Sequence, residues 1–251
     1  MGNPSHTYSS VQPSRPNHLP GIGVEAAAAV LVLGYSVVAD RILPEVAYVP
    51  VNLAAAAAAV LLARRAGVTM AEMGLARERL VGGLRTGLAT VAPIAVLVAA
   101  GVAIPWSRRF FLDADVVNAS TGRALYDMLV RIPLGTALAE EVLFRGALLG
   151  LFLRRHRTGT AVALTSALFG LWHVSPTLSS FTSNPAAGSA VASGLAAKAL
   201  AVAGIAVVTA LAGAFFAWLR LRSGSVAAPW IAHTSFNSLA FLGGRIASRI
   251  Q

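Results

Sequence analysis

Apolar residues in this chain fall into long blocks, without the alternation of a half-buried strand or the narrow stripe of a surface helix. Seven blocks stand out, at residues 24–39, 46–63, 84–104, 125–153, 159–174, 195–219 and 226–242. A helix rises 1.5 Å per residue and needs about 20 apolar residues to cross the hydrocarbon core of a bilayer. The blocks therefore predict membrane-spanning helices, and the fold class is all-α, a polytopic transmembrane bundle of about seven spans. The segments between them are short and polar. Asp40 to Pro44 reads as a turn, 64–85 as a charged connector with an amphipathic look, and 105–124 as a polar link containing Asp113 and Asp115. Residues 175–193 read as a Ser/Pro/Asn-rich loop without a charge. Residues 1–21, rich in Pro, Ser, Asn and His, read as a disordered polar arm. The arm is too long and too weakly basic for the start of a signal peptide, so the first block is expected to be retained. No internal repeat is present. The expected organisation is the arm at 1–21, N-terminal spans over 22–124, a core over 125–242 and a short tail at 243–251.

Composition strengthens the membrane reading. Hydrophobic residues make up 56% and charged residues 12%, and mean hydropathy is +0.70. The net charge of +10 would suggest nucleic acid in a soluble protein. Here the arginines gather at the ends of the apolar blocks, and a basic stripe with stacking aromatics is missing, so the expected partners are membrane lipids and not nucleic acid. With the N-terminus inside and seven alternating spans, Arg15, Arg64, Arg65, Arg77, Arg79, Arg85, Arg154, Arg155, Arg157, Arg220 and Arg222 fall on the arginine-richer side, which is assigned to the cytoplasm. Arg41, Arg108, Arg109, Arg123, Arg245 and Arg249 fall on the other. The Ala/Arg-rich, Lys-poor composition points to a bacterial plasma membrane. There is no cysteine, which excludes disulfides, thiolate catalysis and cysteine-based metal sites.

Three blocks carry polar groups where a bilayer disfavours them. A charge at mid-helix costs about 2.5–3.5 kcal/mol on insertion scales, so such groups face the bundle interior, pair, or do chemistry. Residues 137–150 read ALAEEVLFRGALLG. Glu141 and Arg145, four apart, share a helix face and can neutralise each other. Glu140 points about 100° away and is left without a partner in its own helix. Phe169 and His173 lie four apart in FGLWH, and His233 and Asn237 lie four apart in HTSFN. Each set alone reads as readily as a structural ion pair, a satisfied core histidine or interhelical glue, and Trp172 as an interfacial aromatic. Together they supply carboxylates, imidazoles and an amide, an inventory suited to peptide hydrolysis. A carboxylate can take a proton from water, and imidazole and amide N–H groups can stabilise an oxyanion.

In order and spacing, EEVLFR (140–145), FGLWH (169–173) and HTSFN (233–237) resemble the EExxxR, FxxxH and HxxxN motifs of the CPBP family. These are the CAAX-processing and bacteriocin-processing intramembrane proteases, also called Abi proteins. The resemblance covers about residues 125–242 and leaves out the first three spans. It implies an intramembrane endopeptidase acting on a membrane-associated protein or peptide. Glu140 would be the general base, His173 would help hold the attacking water, and His233 with Asn237 would form the oxyanion site. Glu141, Arg145 and Phe169 would be structural or supporting residues. The family is often labelled metalloprotease, and Glu140, His173 and His233 would be the ligands if zinc were bound. No HExxH helix is present, and a metal-free glutamate mechanism uses the same residues, so both stand open. The alternative from a different class is a non-catalytic immunity or scaffold protein of the Abi type.

Overall fold

A computed structural model describes residues 22–192 and 194–250. The polar arm expected at 1–21 lies outside the described residues. Those described form helices and turns, with no strand. The first two helices are α1 (Ile22–Arg41) and α2 (Glu45–Arg65). A connector then leads to α3 (Leu80–Leu88) and α4 (Val91–Ala103). Short helical turns at Pro105–Arg108 and Ala114–Val117 precede a continuous helical rod, α5, at 121–153. The chain continues through α6 (Thr158–Trp172), α7 (Val174–Ser183), α8 (Pro185–Val191), α9 (Leu195–Ser223) and α10 (Ala227–Ala247).

Five helical stretches are long and apolar enough to cross a membrane: Gly23–Arg41, Glu45–Arg65, Arg77–Ala103, Thr158–Ser183 and Leu195–Ser223. Their outer surfaces expose Leu31, Val96, Leu97, Leu200, Val208 and Leu211, as suits a bundle whose solvent is lipid. The other two long elements, α5 and α10, hold Glu140, Glu141, Arg145, His233 and Asn237, and α5 is the more deeply enclosed of the two. α5 is central. Its Phe144 and Leu149 are fully buried, against Phe169 of α6 and Leu219 of α9. The tightest helix pair is α6 with α9. A Cβ on Gly170 would lie 2.3 Å from the Ala206 carbonyl oxygen, so only glycine permits that approach.

α5 is unusual in its winding. Asp127–Leu138 and Val142–Leu148 form wide π-type turns, and a short α-helical piece, Ala139–Glu141, lies between them. Such turns concentrate at functional sites.

Two segments differ from the sequence expectation. The expected loop at 175–193 is largely the helices α7 and α8. Asn184 accepts hydrogen bonds from Ala186 N and Ala187 N, and Pro185 occupies the first helical position. The same Ser, Asn and Pro residues that mark loops also mark helix starts. The tail expected at 243–251 is helical as far as Ala247, because Gly243 and Gly244 pack closely on Val102 and on Phe111.

The two ends of the bundle are fastened differently. At one end Arg154 reaches the Ala66 carbonyl, Arg220 bonds the Glu72 carbonyl, and Val226 N donates to Gly74 O. α9 closes there on Gly224 in the left-handed conformation (φ 69°), whose N–H bonds Arg220 O. At the other end Arg123 binds Glu45 and Asp127, which raises the guanidinium pKa above its ordinary value through those two hydrogen bonds. Arg245 bonds the Val116 and Ala119 carbonyls there.

Candidate active site

The two adjacent glutamates of α5 face different neighbours. Glu141 is fully buried, and its Oε1 accepts from Arg145 Nη1 at 3.1 Å, the pairing expected from four-residue spacing. The same oxygen meets His233 Nδ1 of α10 at 2.8 Å. A carboxylate oxygen accepts, so Nδ1 carries a proton, and Nε2 is not engaged by this bond. Aromatic rings enclose this set. His233 stacks on Phe216 at 5.0 Å between centroids, and the Arg145 guanidinium lies 4.0 Å from the Phe169 centroid. Gly213 leaves the space for Arg145, since a Cβ there would lie 3.1 Å from Nη2. Glu141, Arg145, His233, Phe169 and Phe216 thus form a buried cluster across α5, α6, α9 and α10 in which carboxylate and guanidinium neutralise each other, while Glu141 Oε2 and Arg145 Nη2 keep no partner among the described residues.

Glu140 turns the other way. It is 7% exposed, and its Oε1 accepts from Trp172 Nε1 at 3.2 Å. Its Oε2 has no hydrogen-bond partner. Glu140 lines a cavity of about 10 Å³, bounded also by Tyr35 of α1, Tyr48 and Asn52 of α2, Gly135 of α5 and Trp172 of α6. That is about the volume one water requires, and the walls offer the polar groups it needs. Tyr35 donates its hydroxyl to Asn52 Oδ1 at 2.7 Å and packs against the Trp172 ring at 6.0 Å. Tyr35 also lines a second, apolar cavity of about 540 Å³ bounded by α1, α2 and the 143–151 part of α5.

His173 is the first residue past α6. Its Nδ1 lies 2.8 Å from the Phe169 carbonyl oxygen, which can only accept, so Nδ1 donates and Nε2 is left free. Its ring packs edge-on to Phe169 at 4.6 Å. Phe169 therefore touches both imidazoles' surroundings and the Arg145 cation. Asn237 is half-buried one turn beyond His233, and its amide has no hydrogen-bond partner among the described residues. The structure thus brings Glu141, Arg145, Phe169 and His233 into one cluster. It does not bring Glu140 into hydrogen-bond contact with His173, His233 or Asn237.

The zinc set fails a test of fit. Among the described residues, no group of three or more His, Asp or Glu side chains is placed to hold a metal ion. Glu140 faces α1 and α2 while His233 is tied to Glu141, so Glu140, His173 and His233 do not converge, and no step is assigned to a metal. The sequence reading missed Trp172, Asn52, Tyr35 and Tyr48 as neighbours of Glu140. A signal existed for Asn52, a lone amide inside the alanine-rich run VAYVPVNLAAAAAAVLLA.

Residues 123–239 match the family model described as "Type II CAAX prenyl endopeptidase Rce1-like". That region belongs to the CAAX protease family. No curated protein and no solved structure matches the chain significantly. The family match over 123–239 and the membrane-length helices together make the chain an integral membrane protein.

Proposed function

We propose that this CAAX protease relative is an intramembrane endopeptidase of a bacterial plasma membrane, with Glu140 as the base that activates water. The observation that carries the reading is the division of labour between two neighbouring carboxylates. Glu141 is neutralised through Oε1 by Arg145 and His233, and its unpartnered Oε2 lies outside the cavity that Glu140 lines. Glu140 has one oxygen held by the Trp172 indole and the other unpartnered, beside room for one water. The Trp172 hydrogen bond fixes the carboxylate's orientation and leaves one oxygen for the proton.

Glu140 takes a proton from the water as its oxygen forms a bond to the scissile carbonyl carbon. The carbonyl π electrons move onto oxygen, and that oxyanion is stabilised by N–H donors. His233 Nε2–H in the protonated ring and the free Asn237 amide are the candidates, as the motif resemblance suggests. Collapse breaks the C–N bond, and Glu140 returns its proton to the leaving nitrogen. His173, with Nδ1 held and Nε2 free, is a second acceptor close to the end of α6. The substrate is a membrane-associated protein or peptide, and the apolar cavity beside Tyr35 would receive an aliphatic segment of it.

Glu140→Gln keeps an oxygen for Trp172 and removes the base. Cells carrying the wild type or this variant would be compared by mass spectrometry of peptide termini in their membranes. The wild type should generate new termini that E140Q does not, at equal expression and thermal stability, with at least about 10²-fold less product for the variant. Identical sets of termini would refute proteolysis and favour the scaffold alternative.

A further inference from the structure

The cavity beside Glu140 is walled partly by α2, an element outside the region that matches the family model. Asn52 of α2 is 5% exposed. Its Oδ1 is occupied by the Tyr35 hydroxyl, which fixes the amide's orientation and leaves both Nδ2 protons without a partner among the described residues. Asn52 and Glu140 line the same one-water space: the Glu140 Oε2 is buried without a partner, and the Asn52 amide makes no hydrogen bond besides the one from Tyr35 among the described residues. A buried water there needs two to four partners. Glu140 supplies an acceptor. A donor is also required to hold the water's lone pair and set its direction, and Asn52 supplies one. His173, to which the motif resemblance gives the water-holding task, does not line this cavity.

We infer that Asn52 is a catalytic residue, donating its amide N–H to the water that Glu140 deprotonates, and that Tyr35 is the positioning residue that aims the amide. The inference rests on the proteolytic reading above. During attack the water loses a proton to Glu140 and forms its bond to carbon, while the Asn52 N–H stays on nitrogen throughout. Asn52 therefore contributes orientation and no proton. Misplacing a nucleophile by about 1 Å costs roughly 10²-fold in rate.

The test uses the full chain in detergent micelles and a synthetic peptide spanning the bond whose cleavage differs most between wild type and E140Q. Asn52→Leu removes the donor at nearly constant volume, and Tyr35→Phe removes only the hydroxyl that aims it. N52L should lower kcat by about 10²-fold with KM within twofold of wild type, and Y35F by about tenfold. Asn52→Gln, which retains an amide, should recover part of the loss. Melting temperatures report folding separately. If N52L folds and turns over within threefold of wild type, the inference is overturned. If N52L fails to fold, Y35F decides: a lower kcat at unchanged KM supports the inference, and an unchanged kcat overturns it. The two readings fail separately. An active E140Q defeats the proteolytic function itself, whereas an inactive E140Q beside a fully active N52L defeats only the role of Asn52.

Discussion

Replacing Arg145 with methionine tests how the bundle tolerates charge in its interior. Arg145 is 3% exposed and Glu141 0%. They meet at 3.1 Å, and the guanidinium is sandwiched against the Phe169 and Phe216 rings at 4.0 and 5.3 Å. R145M keeps most of the stem's volume and removes the cation. Glu141 then retains the His233 N–H at 2.8 Å as its one polar contact besides its own helix. Breaking one side of a buried pair costs about 3–5 kcal/mol, because the remaining charge has lost its counterion. For a chain of this size, a kcal/mol corresponds to roughly 2–4 °C, so the melting temperature should fall by roughly 6–20 °C. Glu141→Gln added to R145M removes the stranded charge and keeps an oxygen for His233. The double variant should be more stable than R145M alone, with a coupling of about 2 kcal/mol or more. Thermal unfolding in detergent micelles, followed by tryptophan fluorescence, measures both. A loss below about 1 kcal/mol for R145M, the size expected of an exposed pair, would refute the reasoning. Strict additivity in the double variant would do the same.

Two further outcomes are expected. Gly170→Ala places a methyl 2.3 Å from the Ala206 carbonyl, so α6 and α9 must part, at about 1–3 kcal/mol in the same melt; Gly159→Ala, with nothing within 4 Å, should not lower it. Because the chain has no cysteine, Thr158→Cys and Arg249→Cys each report one end of the bundle. A membrane-impermeant maleimide should label the first from the cytoplasmic side and the second from the opposite side, and labelling of both from one side would overturn the arginine-based orientation.

Much of the helical architecture could be read in advance because a lipid-facing helix encodes itself locally. The block at 46–63 becomes Glu45–Arg65, and that at 195–219 becomes Leu195–Ser223. The Glu141–Arg145 pair was legible for the same reason, since one turn of helix brings the two together. The surroundings of Glu140 were not. Trp172 and Asn52 come from other helices, and the direction in which a uniformly apolar helix presents one polar residue is set by packing. Alanine-rich α2 gives no periodic cue to its inner face, so Asn52 looked like an isolated amide. The segment 175–193 misled for a different reason. Its residues favour both loop and helix cap, and the choice depends on Asn184 also donating to the Phe110 carbonyl of a distant segment.

The π-type turns on either side of Ala139–Glu141 bear on how such a site can change. In a regular α-helix, inserting one residue rotates everything beyond it by about 100°, which would exchange the bearings of Glu140 and Glu141 and misalign the far end as well. A wide turn is where one residue can be gained or lost with the disturbance absorbed within a few positions. The rod can then re-aim Glu140 while Arg123 at one end and Arg154 at the other keep their anchors. In this chain the pair of glutamates works as an indexed joint, with its register adjustable at the centre and clamped at both ends.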